Sequence, residues 1–311
     1  MEPRSIAEIL LARKARGSRA PHGDGARVAL CVEGGAMRGV ISAGMVSALE
    51  ALGLTHAFDA VYGSSAGAIN AAYFLAGQAR LGTTIYYEDI NNRRFIDLRR
   101  ALRGHAIVDL SFLLDDVVER RKRLDVDALL ANASPLTVIA TDVQAQAATR
   151  LRAFTNRAQT IAALRASATM AVVAGAPVEY GGRLFLDASL SEPIPLPSAE
   201  ADGFTHAVVL LTRTGGMRPK PSAFDRYFVG PRLRRLSPGL ATRYLERAGP
   251  YTALVRAIDA GTSPLGRVQV TGIRVPDLRI SKLERRDEVL RDGATRGFDA
   301  VMQVFGSPDR P

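Results

Sequence analysis

Twice within the first eighty residues a short apolar run ends in a turn of very small side chains and passes straight into helix-forming sequence. Val28–Val32 (VALCV) leads through Glu33-Gly34-Gly35-Ala36-Met37-Arg38-Gly39 into a helix from Gly39 to about Leu52, and Phe58–Gly63 (FDAVYG) leads through Ser64-Ser65-Ala66-Gly67 into a helix ending near Ala76. Apolar runs without polar alternation are strands covered on both faces, and the repeated strand–turn–helix unit commits the chain to an α/β fold with a mostly parallel sheet. Further strands are expected at Pro135–Asp142, Ala148–Phe154, His206–Thr212 and Val268–Val275, with a hairpin of Val178–Tyr180 and Leu184–Asp187 about Gly181-Gly182. Helices are expected around Ala158–Ala168 and from about Lys282 to Val304, the latter charged. Residues 81–132 read as charged and helical, and 213–266 as helical or irregular. We find no internal repeat or low-complexity tract.

Residues 3–16 read as a basic amphipathic helix, with Ile6, Leu10 and Leu11 on one side. The loop Ser18–Gly25 then marks a boundary, so that 1–24 form an N-terminal helix or arm and 25–311 one domain. Glu8 interrupts the first apolar stretch and no small-residue cleavage site follows it, which is not the pattern of a secretory signal. No apolar run reaches the ~18 residues needed to span a bilayer. The expected compartment is the cytoplasm, with peripheral contact with an anionic membrane left open.

Composition narrows the chemistry. The single cysteine, Cys31, rules out a disulfide framework and a Cys-based zinc site, and four histidines offer few parts for a multi-His centre. The net charge is +10, and lysine stands only at positions 14, 122, 220 and 282, so arginine supplies 37 of the 41 basic residues. A basic surface attracts nucleic acid or anionic lipid, and equally follows from arginine-rich coding. Aromatic residues are only 6% and no nucleic-acid motif is present, so nucleic acid is not an expected partner.

Gly63-Ser64-Ser65-Ala66-Gly67 lies where a strand gives way to a helix, the setting in which G-x-S-x-G projects a serine hydroxyl into open space on a strained turn. Taken alone it is equally a Ser/Gly turn that caps a helix. The loop from Glu33 to Gly39 has small residues whose amides are able to turn inward toward a developing oxyanion. Its adjacent glycines break the G-x-G-x-x-G spacing, no Gly-Lys-Ser/Thr follows, and nucleotide binding is set aside. Asp187 ends a short apolar strand at the rim where α/β proteins place their sites, although an Asp there also caps turns. A Ser-Asp-His hydrolase needs a histidine late in the chain on a loop. The only histidine after Asp187 is His206, at the start of a buried strand. That absence points to a serine–aspartate dyad.

In this order the loop Gly34-Gly35-Ala36-Met37-Arg38-Gly39, the elbow Gly63–Gly67 and Asp187-Ala188 resemble the patatin-like phospholipases, whose pattern is G-G-G-x-R/K-G, then G-x-S-x-G, then D-G-G or D-G-A. The segment Leu164–Ala168 is similar to that family's helix ahead of the aspartate. The resemblance covers roughly Val28–Asp187 and weakens toward the end. It implies a three-layer α/β/α sandwich, with 81–132 and 213–266 as variable or cap regions. It also implies a serine acyl hydrolase acting on lipid esters without a metal or cofactor, phospholipase A- or lysophospholipase-like. Carried over by position, Ser65 is the nucleophile, Asp187 the base, Gly34, Gly35 and Ala36 the oxyanion amides with Arg38 supporting them, and Gly63 and Gly67 the elbow glycines. Alternatives are a transacylase or thioesterase using the same pair, or a catalytically weak lipid-binding protein. Two departures stand out. Ala36 replaces the third glycine, so its backbone must keep negative φ or bear strain, and Ala188 replaces the glycine after the aspartate.

Overall fold

The computed structural model describes residues 4–170, 173–214, 221–223 and 225–306. The first three residues of the predicted arm, 307–311 of the domain, and 215–220 and 224 of the predicted cap lie outside the described residues. Within them the strands are β1 (Val28–Val32), β2 (Ala60–Ser64), β3 (Leu136–Asp142), β4 (Ala147–Leu151), β5 (Val178–Tyr180), β6 (Arg183–Leu186), β7 (His206–Leu210) and β8 (Gln269–Ile273). The helices are α1 (Ile6–Ala15), α2 (Val40–Ala51), α3 (Ala66–Leu75), α4 (Ala79–Glu88), α5 (Val126–Ala131), α6 (Arg157–Ala168), α7 (Leu196–Ala201), α8 (Gly230–Leu236), α9 (Pro238–Glu246), α10 (Ala248–Asp259) and α11 (Asp287–Phe305).

One sheet runs β5-β6-β3-β2-β1-β7-β8, with β4 also paired to β3. Strands β3, β2, β1, β7 and β8 are mutually parallel, while β4 and β6 lie antiparallel to β3. The predicted hairpin forms as β5 and β6, its turn made by Gly181 and Gly182 at φ +57° and +74°. Strands β1 and β7 send alternate residues into two cores, which is why neither shows polar alternation. Val28, Leu30 and Val32 face the core of α1, α2, α3 and α11, whereas Ala29 and Cys31 face α7 and α10. The result is the expected α/β/α sandwich.

Helices α2 and α11 approach to backbone contact. A Cβ on Gly44 would meet the Ala294 carbonyl oxygen, and one on Gly297 the Ile41 carbonyl oxygen. Helix α1 packs Ile6, Ile9 and Leu10 into the main core. Contrary to a helix with all its cations at the surface, Arg13 is wholly buried. It pairs with Asp24 at 2.8 Å and Asp59 at 2.9 Å, and donates to the Ala26 and Ala57 carbonyls. Lys14 and Arg16 stay exposed. In the charged middle region, α4, a 3₁₀ turn, a π-helix over Phe112–Arg121 and α5 bury Phe112, Leu113 and Val117. Helices α8 and α9 set Val229, Leu233, Leu240 and Tyr244 against Leu186 and Leu190, one residue before and three after Asp187.

Candidate active site

Strand β2 stops at Ser64 and α3 starts at Ala66, so Ser65 must reverse the chain alone. It does so at φ +54°, ψ −127°, a conformation that costs an L-residue about 1–3 kcal/mol. The flanking glycines are required by close packing. A Cβ on Gly63 would meet the Ala68 backbone, and one on Gly67 the Val32 carbonyl oxygen. Three contacts hold the strained turn. The Ser65 N–H donates to Ser167 Oγ at 2.8 Å, Ser167 Oγ donates to the Ile139 carbonyl at 2.5 Å, and Ser64 Oγ donates to the Glu192 carbonyl at 2.8 Å.

Asp187 follows β6 and is 1% exposed. Its backbone is pinned on both sides, the N–H donating to the Thr169 carbonyl and the carbonyl accepting from Thr141 Oγ1, each at 2.8 Å. Its Oδ1 accepts the Ser189 N–H at 2.7 Å, which fixes the carboxylate's rotation. Oδ2 is thereby presented to Ser65, whose Oγ donates to it at 2.6 Å across 122 residues of sequence. Asp187 has φ −50°, and Ala188 opens a 3₁₀ turn without positive φ, so the missing glycine costs this turn nothing.

The glycine-rich loop lies against the elbow so closely that a Cβ on Gly34 would meet the Ser64 carbonyl oxygen. The Gly34 N–H donates to the Pro193 carbonyl at 3.4 Å, which differs from an amide turned inward. The Gly35 and Ala36 N–H groups have no acceptor among the described residues. Ala36 does not keep negative φ. It stands at +51° and bears the strain, because the loop must reverse there into a 3₁₀ turn. Arg38, 9% exposed, braces the loop indirectly. Its Nε donates to Thr212 Oγ1 at 3.3 Å, and Thr212 Oγ1 donates to the Gly34 carbonyl at 2.9 Å.

Behind the loop lies a network that sequence reasoning missed. The buried Glu33 carboxylate accepts from the Thr212 N–H at 2.6 Å and from the Tyr251 hydroxyl at 2.8 Å, and shares the single Thr212 Oγ1 proton, at 3.0 Å, with the Gly34 carbonyl. The Tyr251 phenol is pushed above its ordinary value, first by burial and then by Glu33. The Arg38 guanidinium is pushed down, first by burial and then by the Arg213 charge, with Glu33 opposing both. Glu33 was legible only as a letter in the loop motif, and its partners lie 179 and 218 residues away.

Two chambers meet at Ser65 and Asp187. One, about 200 Å³, is walled by Met37, Ile69, Ile85, Phe95, Leu113 and Val173 among other apolar side chains. The other is small and polar, bounded by Glu33, Arg38, Ser189, Arg213, Tyr251 and Lys282. No histidine lines either chamber, and among the described residues no cluster of three or more His, Cys, Asp or Glu is placed to hold a metal. All eight residues singled out from the sequence stand around this junction, Gly63 and Gly67 beneath it and Gly34, Gly35, Ala36 and Arg38 beside it.

A parallel α/β sandwich with an apolar cavity at the carboxyl ends of its strands, holding a serine on a strained turn against a buried carboxylate, is an arrangement suited to lipid hydrolases. Sequence comparison makes the family plain. The profile of the patatin-like phospholipases matches residues 30–200, more than half of the chain and inclusive of the loop, elbow and Asp187, and the chain belongs to that family. It is similar to the uncharacterized protein YjjU of Escherichia coli (strain K12), 27% identical over 201 residues. That match takes in 64% of this chain and 56% of YjjU, so the chain spans little more than half of that relative. Among solved structures it is similar to the crystal structure of VipD from Legionella pneumophila, at 13% identity and TM-score 0.49, over 90% of this chain and 66% of that one.

Proposed function

We propose that the chain is a serine acyl hydrolase that cleaves carboxylic esters of lipids through Ser65 and Asp187. The observation that carries this is the 2.6 Å hydrogen bond from Ser65 Oγ to Asp187 Oδ2 at the head of an apolar cavity. The acyl chain lies in that cavity, with its carbonyl at Ser65. As Oγ attacks the carbonyl carbon, its proton passes to Oδ2 and the carbonyl electrons move onto oxygen. The Gly35 and Ala36 amides stabilise that oxyanion, a contribution worth ~10²–10³ in rate per donor. Collapse expels the alcohol, which takes the proton from Asp187 and leaves an acyl-Ser65 ester. Water, deprotonated by Asp187, then releases the acid and restores the hydroxyl.

The test is direct. Ser65→Ala abolishes labelling by a fluorophosphonate, and Asp187→Asn cuts turnover of a short-chain p-nitrophenyl ester by ~10³ or more while melting stays cooperative. Unchanged turnover in either variant removes that residue from the scheme. Product analysis with phospholipid, lysophospholipid and acylglycerol fixes whether the acceptor is water.

Peripheral contact with an anionic membrane belongs to the same proposal. Tyr227, Phe228 and Leu236 are 75%, 53% and 45% exposed, and Arg232, Arg234 and Arg235 are exposed on the same segment. Apolar tips interleaved with cations suit an anionic bilayer surface.

A further inference from the structure

Residues shared between neighbouring cavities mark where the apolar cavity begins and where it stops. Ser65, Met170, Asp187 and Lys282 border both it and the polar chamber, which makes that end the place of the ester. On another side Val108, Leu110 and Ala174 border both it and an outer groove of about 650 Å³. Among the described residues, none of the loop, the elbow or Asp187 borders that groove. Val108, Leu110 and Ala174 are therefore a partition, with a closed apolar space on one face and an open groove on the other.

Backbone bonds brace the partition. The Val108 N–H donates to the Val173 carbonyl and the Asp109 N–H to the Phe95 carbonyl, each at 2.9 Å, and the Asp97 N–H to the Ile107 carbonyl at 3.0 Å. With the bridge between Ile96 and Val108, the chain at 95–97 and 107–109 forms a short antiparallel pair. The two sides of the partition differ in chemistry. Arg100, Arg103, His105, Asp109 and Arg165 border the groove, so a hydrocarbon tail gains little by passing into it. On the inner side, the polar groups of Asn70 and Tyr86 are satisfied within the wall. The Tyr86 hydroxyl donates to Asn70 Oδ1 at 3.1 Å, and Asn70 Nδ2 donates to the Gly39 carbonyl at 2.9 Å and to Ser42 Oγ at 3.0 Å.

Volume then sets a length. A cavity of about 150 Å³ lined by Leu, Ile and Phe takes benzene, so the same filling puts about eight carbon atoms into the roughly 200 Å³ present here. Resting on the acyl hydrolase reading, we propose that Val108, Leu110 and Ala174 are chain-stop residues, which limit the acyl group to about eight carbons and make medium-chain esters the substrates. Up to that length each methylene that is buried raises kcat/KM by about fourfold. Beyond it the tail must displace a braced wall or remain in water. Val108 and Leu110 belong to the variable region 81–132, and none of the loop, elbow or aspartate motifs contains any of the three.

The experiment gives the full chain 4-nitrophenyl butanoate, octanoate and dodecanoate, each below its aggregation concentration. In the parent kcat/KM is expected to rise from butanoate to octanoate and to fall about tenfold from octanoate to dodecanoate. Leu110→Ala joins cavity to groove and raises the ratio of dodecanoate to octanoate about tenfold. Val173→Phe, at a partly exposed position, narrows the same cavity and moves the optimum toward butanoate. A parent profile that keeps climbing to dodecanoate overturns the chain stop, as does a profile that neither variant changes while both melt cooperatively. Thermal shifts of Ser65→Ala with octanoate and dodecanoate read the cavity without turnover. Octanoate is expected to stabilise that variant at least as well as dodecanoate, and adding Leu110→Ala reverses the order. A chain that ranks the two acids in this way yet turns over no ester and fails to label with a fluorophosphonate sinks the hydrolase and spares the chain stop. Turnover without a length limit does the reverse.

Discussion

Two L-residues at the junction, Ala36 and Ser65, stand at positive φ, and they differ in what the conformation serves. Ser65 carries the hydroxyl, and no glycine replaces it. Ala36 contributes only its backbone, so its methyl group brings strain without chemistry. Ala36→Gly is expected to stabilise the chain by about 1 kcal/mol, read as a higher urea midpoint at constant m, the relief at +51° outweighing the added freedom of the unfolded chain. A lower midpoint would show that the methyl group packs against the cavity wall to net advantage. At this scale the sequence disclosed the paired side chains and hid their supports. Ser65 and Asp187 stand in motifs, whereas Ser167, Thr212 and Tyr251 are ordinary residues whose roles exist only once distant segments meet.

Elements were legible where one physical rule dominated. Strands β1, β2, β3 and β7 are buried almost throughout on both faces, and small residues in the turns after β1 and β2 allow close packing. The π-helix Phe112–Arg121 was not legible, because its apolar and charged residues fit an ordinary helix and its extra width is set by neighbours. The arginine-rich segment 226–247 divides between core and surface. Leu233 and Leu240 are core, while Tyr227, Phe228 and Leu236 face outward among arginines. Replacing Tyr227 and Phe228 together by Ser is expected to abolish flotation with vesicles containing anionic lipid, and parent protein that floats no better with anionic than with neutral vesicles would end the membrane proposal. The α2–α11 seam yields a sharper stability test. Alanine is the better helix former by about 1 kcal/mol, yet at Gly297 its Cβ would strike the Ile41 carbonyl oxygen. Gly297→Ala should cost 1–3 kcal/mol by chemical denaturation, roughly the price of overpacking.

At the scale of the whole molecule, one buried acid adds its own pH dependence to folding. Glu192 accepts from the Ser198 N–H and Oγ at 2.8 and 2.9 Å, but burial outweighs those bonds and raises its carboxyl to about 7. Arg150 lowers it slightly and Asp202 raises it. Below its unfolded value of 4.5 both states are protonated and nothing is lost. Between about 4.5 and 7 the unfolded chain ionises this group while the folded chain keeps it protonated, and stability falls by about 3 kcal/mol across that window. Denaturation midpoints should therefore fall more between pH 4.5 and 7 in the parent than in Glu192→Gln. An equal drop in both would place the dependence elsewhere.

The meeting of an oily chamber with a polar one has a consequence for how molecules enter. Under the proposed hydrolysis, a detergent-like ester presented to this junction is sorted by its own two ends, tail to one side and head to the other, before any bond is made. The protein thus carries inside itself the orienting power that amphiphiles ordinarily find only where oil touches water, and a single dissolved monomer arrives at Ser65 already facing the right way.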